Sequence, residues 1–128
     1  MVKKIMVCDD DPGILEMMEM IIEEYGFQVF TEANSTRVLK GLEQEKPDLL
    51  LLDIWMPVLS GDQVLKAVKA ETRFSNLPII MYSASVAGAA IAKSVGADDY
   101  ISKPFDFDEL ESKINALLNR GQFKQRIA

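Results

Sequence analysis

The sequence predicts a doubly wound α/β sandwich, a five-stranded parallel sheet carrying helices on both faces in (βα)5 order, and three observations support that prediction. Short β-rich runs alternate with amphipathic stretches from one end of the chain to the other. The run Leu49 to Leu52 is apolar at every position, as a strand covered on both faces must be. Acids stand where two of the runs end: Asp9 and Asp10 follow Ile5 to Cys8, and Asp53 follows Leu52. In open parallel sheets the carboxyl ends of strands are where ligands bind.

Taken in order, the expected strands are Lys3 to Cys8, Phe27 to Thr31, Leu49 to Asp53, Pro78 to Tyr82 and Asp99 to Ser102. The first expected helix is Pro12 to Tyr25, with proline at its start, Leu15, Met18, Ile22 and Tyr25 along one face, and Gly26 just past its end. Ser35 to Glu45, Gly61 to Thr72, Val86 to Val95 and Asp106 to Asn119 follow. Ser35 and Asp106 are the expected caps of two of them, and Gly96 and Gly121 the expected stops. Residues 1–121 thus read as one domain, with 122–128 as a short basic tail or a linker stub.

Composition narrows the function. Hydrophobic residues make up 48% of the chain and charged residues 27%, which suits a globular protein with a packed core. The apolar runs are strand-length, and Ile5 to Cys8 is too short for the core of a signal peptide, so a cytoplasmic protein without a membrane span is expected. Fourteen basic residues against twenty acidic ones leave a net charge of −6, which argues against a direct nucleic-acid surface. Cys8 is the only cysteine and there is no histidine. Those two facts exclude an internal disulfide, a cysteine metal cluster, a histidine triad and a histidine zinc site.

An ionised carboxylate at the tip of a buried strand costs several kcal/mol unless it is paired or metal-bound, so Asp53 asks for a chemical reason. Taken alone, Asp9, Asp10 and Asp11 also suit an acidic cap at the positive end of the first helix. Three acids sharing one crevice repel each other, and a hard divalent cation resolves that repulsion. With oxygen ligands only, Mg²⁺ or Mn²⁺ is the expected ion. Ser83 and Lys103 end two further strands, and a hydroxyl and an ammonium there suit a phosphoryl group on Asp53.

These motifs resemble the receiver domains of two-component response regulators, similar to single-domain chemotaxis-type regulators, from Lys4 to about Asn119. The likeness lies in Asp9-Asp10 before Asp11-Pro12, Asp53-Ile54-Trp55-Met56-Pro57, Gly61, Pro78 to Met81 leading to Ser83-Ala84, and Gly96 through Lys103-Pro104-Phe105. The resemblance implies a flavodoxin-like fold in which Asp53 accepts a phosphoryl group from a sensor histidine kinase or a phosphotransfer protein. It further implies that Asp10, Asp53 and the Trp55 backbone carbonyl bind Mg²⁺, with Asp9 acting through a water. Ser83 and Lys103 would contact the phosphoryl oxygens, and Tyr100 would report phosphorylation through its rotamer. A cis bond at Lys103-Pro104 belongs to the same pattern.

On that resemblance the chain is a switch, not an enzyme on external substrates: it promotes its own phosphorylation and a slow loss of phosphate. Phosphorylation would reshape the surface around the fourth helix, fifth strand and fifth helix to control a downstream protein, whose identity the sequence does not give. A phosphorylation-dependent pairing of two copies is the further partner considered. Two positions depart from the commonest receiver pattern: Trp55 is bulky and Ser85 is small and uncharged. The uncharged stretch Val86 to Ala92 reads either as a well-buried fourth helix or as a small-residue contact patch.

Two alternatives stand beside the switch. One is a protein-interaction module on the same fold that needs no phosphate. The other is a phosphohydrolase using Asp53, which is disfavoured because residue 55 is tryptophan where an acid would protonate the leaving group. Asp98 and Asp99 read as acids of a solvated turn, Gly61 as a point of close packing, and Glu109 with Lys113 as an i,i+4 pair.

Overall fold

Successive side chains of a strand point to opposite faces, and in this chain that alternation builds two cores. The computed structural model describes residues 2–127, with side chains for 2–120. Its strands are β1 (Lys4–Cys8), β2 (Gln28–Glu32), β3 (Leu49–Asp53), β4 (Ile79–Ser83) and β5 (Asp99–Ser102), all parallel in the order β2-β1-β3-β4-β5. The helices are α1 (Pro12–Glu24), α2 (Val38–Glu45), α3 (Gly61–Ala70), α4 (Gly88–Val95) and α5 (Phe107–Ile127). Met6, Cys8, Leu50, Leu52 and Met81 face one core, closed by Val38 and Leu42 of α2, Val64, Leu65 and Val68 of α3, and Ala92 of α4. Ile5, Val7, Leu49, Leu51 and Ile80 face the other, closed by Leu15, Met18 and Ile22 of α1 and by Leu110 and Ile114 of α5. The three-layer, flavodoxin-like sandwich is therefore as expected.

Helix starts follow local chemistry, with two corrections. Asp11 caps α1 by accepting from the Gly13 N–H at 2.8 Å, and Asp106 caps α5 by accepting from the N–H groups of Asp108 and Glu109 at 3.0 and 3.1 Å. Ser35 does not cap the second helix. A 3₁₀ turn over Ser35–Arg37 precedes α2 and is capped by Asn34, which accepts from the Thr36 N–H at 3.0 Å. The helix α2 itself starts from Arg37 without a side-chain cap, and the buried Ser35 hydroxyl donates to the Pro57 carbonyl at 3.2 Å. The fourth helix begins at Gly88, leaving Val86 and Ala87 exposed in the loop before it. Only Gly88 and Ala92 of α4 are buried, so the helix is not well buried and turns Ala89 and Ala90 outward.

At the C-terminal side, α5 runs past the expected stop at Gly121 to Ile127; an interior glycine weakens a helix by about 1 kcal/mol and does not forbid it. Asp98 and Asp99 are not free solvated acids either. Asp98 accepts from the Ile79 N–H at 2.8 Å and sits 3.3 Å from Arg120, which ties the start of β4 to α5. Lys113 lies 3.7 Å from Glu109 as expected, but its shorter contacts, at 2.9 Å, are to Asp99 and to the Tyr100 carbonyl.

Val58, in the loop between β3 and α3, has φ +69° and is 83% exposed. A β-branched side chain in this left-handed region is strained by roughly 1–2 kcal/mol per residue, and its exposure offers little packing in return. Val58→Gly is therefore expected to raise stability by about 1 kcal/mol, measured as a higher urea midpoint at unchanged slope. A lower midpoint would show that Val58 contributes packing that outweighs the strain.

Candidate functional site

The strand order reverses at β1, with β2 on one side and β3 on the other, and the crevice at this switch point opens at the carboxyl ends. Asp9 leaves β1 with its N–H donating to the Glu32 carbonyl at 3.2 Å, so it prolongs the ladder and is fully buried. Asp53 ends β3 opposite Tyr82 of β4 and is buried as well. Carboxylate oxygens of Asp9, Asp10 and Asp53 all lie within 4.8 Å of one another, with Asp10 exposed. Lys103 reaches the same place from β5: its Nζ is 3.6 Å from Asp9 Oδ2 and 3.8 Å from Asp53 Oδ1. Its backbone N–H donates to the Ser83 carbonyl at 2.9 Å, and the Lys103-Pro104 bond is cis.

Burial pushes the Asp53 carboxyl up to about 7, Asp9 and Asp10 push in the same direction, and Lys103 opposes them. One lysine does not neutralise three acids. The donor set is made of carboxylate oxygens alone, which fits a hard divalent cation and offers nothing for a soft one.

Ser83 ends β4 one residue beyond Tyr82 and is fully buried; its Oγ accepts from the Ser85 N–H at 2.9 Å. Tyr100 of β5 is turned toward β4 and donates to the Ser83 carbonyl at 3.2 Å. Gly88 makes room for it, because a Cβ there would collide with the Tyr100 hydroxyl and the Ser83 Cβ. The Trp55 side chain, two residues past Asp53, is 53% exposed in the loop after β3. The packing role expected of Gly61 is present: its N–H donates to the Ile54 carbonyl at 2.7 Å, and a Cβ would collide with the Asp53 carbonyl and the Ile54 Cα.

The model of the response regulator receiver domain matches residues 5–115. The chain belongs to this family. Among curated relatives, this receiver domain is 35% identical over 122 residues to the alkaline phosphatase synthesis transcriptional regulatory protein PhoP of Bacillus subtilis, covering 94% of this chain and 50% of that one. It is 36% identical over 125 residues to the transcriptional regulatory protein GltR of Pseudomonas aeruginosa, covering 96% of this chain and 52% of that one. The chain thus spans about half the length of these curated relatives. Among solved structures, it is similar to a CheY-like response regulator receiver domain protein of Methanospirillum hungatei, with TM-score 0.85, 30% identity, and coverage of 97% and 99% of the two chains. A receiver domain protein of Clostridium thermocellum gives TM-score 0.86 at 29% identity, with 95% and 98% covered.

In this receiver domain the expected residues Asp9, Asp10, Asp53 and Lys103 meet in one crevice, with Ser83 at the end of the next strand. Two residues of the site went unnoticed in the sequence. Gly88 lay inside a run of small residues that masked it. Tyr82 is fully buried with its hydroxyl 2.8 Å from Asp9 Oδ2. A buried tyrosine needs a hydrogen-bond partner, and the strand end beside Asp53 was the signal that one of the acids supplies it. Among the described residues, no helix is long and apolar enough to cross a membrane.

Proposed function

We propose that the chain is the phosphoacceptor switch of a two-component pathway, working in the cytoplasm, with Asp53 as acceptor. The supporting observation is a buried Asp53 whose oxygen lies within 4.8 Å of oxygens of Asp9 and Asp10 and 3.8 Å from the Lys103 ammonium. The donor is a phosphohistidine of a sensor kinase or of a phosphotransfer protein. An Asp53 oxygen forms the new P–O bond as the P–N bond to the donor imidazole breaks, and the leaving nitrogen retains the electron pair and takes a proton. Little covalent help is needed beyond in-line placement and neutralisation of charge on the equatorial oxygens. Lys103 and the Ser83 hydroxyl serve two of those oxygens.

Asp10, Asp53 and the Trp55 carbonyl would hold Mg²⁺, with Asp9 acting through a water; when bound, the ion supplies positive charge to the transferring group. Ser83 and Tyr100 share a hydrogen bond through the Ser83 carbonyl, at 3.2 Å, so a pull on Ser83 is felt at Tyr100 and passes to the surface of α4, β5 and α5. The protein controlled by that surface is set by the pathway; the transcriptional regulators above share this half of their length.

The test is labelling with phosphoramidate in the presence and absence of Mg²⁺. Labelling is expected to require the ion, and Lys103→Ala is expected to slow it by a hundredfold or so while leaving Mg²⁺ affinity within a few-fold, because the lysine serves the phosphoryl group. A folded protein that takes no label favours the phosphate-independent interaction module, and labelling that persists in chelator would contradict the role given to the ion.

A further inference from the structure

Tyr82 lies in the centre of the site's charge network without being a ligand. Its hydroxyl donates to Asp9 Oδ2 at 2.8 Å, and the other Asp9 oxygen, Oδ1, accepts from the Asp11 N–H at 2.9 Å. Both oxygens of this buried acid are therefore occupied by donors. The Tyr82 ring is braced by Phe105, edge to face with centroids 5.2 Å apart, and the Lys103 ammonium stands over the ring 5.1 Å from its centroid.

That arrangement decides where Lys103 rests. Asp9 Oδ2 at 3.6 Å and Asp53 Oδ1 at 3.8 Å are both beyond a charge-assisted hydrogen bond, which closes to about 2.7–2.9 Å. A buried carboxylate lacking a donor on Oδ2 would draw the ammonium into full contact. Here the tyrosine hydroxyl occupies that oxygen and the ring face offers the cation a second place to rest.

We propose that Tyr82 is a positioning residue that keeps Lys103 from committing to Asp9, leaving the ammonium available for the phosphoryl group on Asp53. The inference rests on the phosphoacceptor reading for its consequence, but its structural half stands separately. It names a competition between Asp9 and Asp53 for one cation, with the Tyr82 hydroxyl tipping the balance.

Tyr82→Phe retains the ring and removes the hydroxyl. At saturating Mg²⁺ its labelling by phosphoramidate is expected to slow by roughly tenfold to a hundredfold, the scale of a catalytic group displaced by about 1 Å. In an Asp9→Asn background, where no anion competes for Lys103, the same change is expected to have no effect. A crystal structure of Tyr82→Phe should show Lys103 Nζ closed to about 2.8 Å from Asp9. Equal slowing in both backgrounds, or an unmoved Lys103, would overturn the proposal, as would wild-type labelling of Tyr82→Phe. If Tyr82→Phe alone does not fold, the double variant, relieved of the unsatisfied acid, supplies the comparison with Asp9→Asn: slower labelling of the double variant overturns the proposal, and equal labelling supports it. If the wild type takes no label, the phosphoacceptor reading falls, and the position of Lys103 in the crystal still decides for or against Tyr82.

Discussion

Asp53→Asn is expected to stabilise the metal-free protein at pH 8 by roughly 2–4 kcal/mol, about 10 °C in melting temperature. The folded Asp53 carboxyl holds its proton up to about pH 7, whereas in the unfolded chain it ionises near its ordinary 3.8. Between those values the folded state binds more protons than the unfolded one. Stability therefore falls as pH rises from 3.8 to about 7, and the whole penalty remains above 7. Asparagine has no charge to bury. The wild type and the variant should have similar stability near pH 4 and separate as pH rises, and Mg²⁺ should stabilise the wild type far more than the variant. Thermal melts across this range measure both, and a gap that is widest in acid would contradict the burial of Asp53 among like charges.

Gly61→Ala is expected to lower stability by about 3 kcal/mol, a large loss for a single methyl group. The obstacle is backbone: the new Cβ would meet the Asp53 carbonyl oxygen and the Ile54 Cα, neither of which can rotate aside. Relief requires α3 to move away from the end of β3, breaking the 2.7 Å hydrogen bond from the Gly61 N–H to the Ile54 carbonyl. Because Asp53 ends that strand, labelling should fall together with stability. Urea unfolding measures the first effect; an unchanged midpoint would mean that α3 shifts without loss.

The sheet was legible because its central strands are apolar on both faces, so Leu49 to Leu52 admits no other placement once helices flank it on either side. The site was legible for a related reason. Acids, a hydroxyl and a lysine at strand ends are poor structural choices, and the fold gathers the ends of β1, β3, β4 and β5 at one edge. Side-chain contacts that cross elements were not legible. Ser35 has the chemistry of a cap, yet burial gives its hydroxyl to Pro57, and Asn34 caps only the 3₁₀ turn that precedes α2. Asp98 has the composition of a turn, yet its carboxylate accepts from the first N–H of β4. Tyr82 reads as one more residue in an apolar strand until the structure sets its hydroxyl against Asp9.

The central claim is that Asp53 carries the phosphoryl group, and intact mass followed by peptide mapping after phosphoramidate treatment with Mg²⁺ tests it most directly. The wild type should gain one phosphoryl group, located on the peptide that contains Asp53, and Asp53→Asn should gain none. Equal labelling of Asp53→Asn, or a phosphoryl group mapped to another residue in the wild type, would contradict the account.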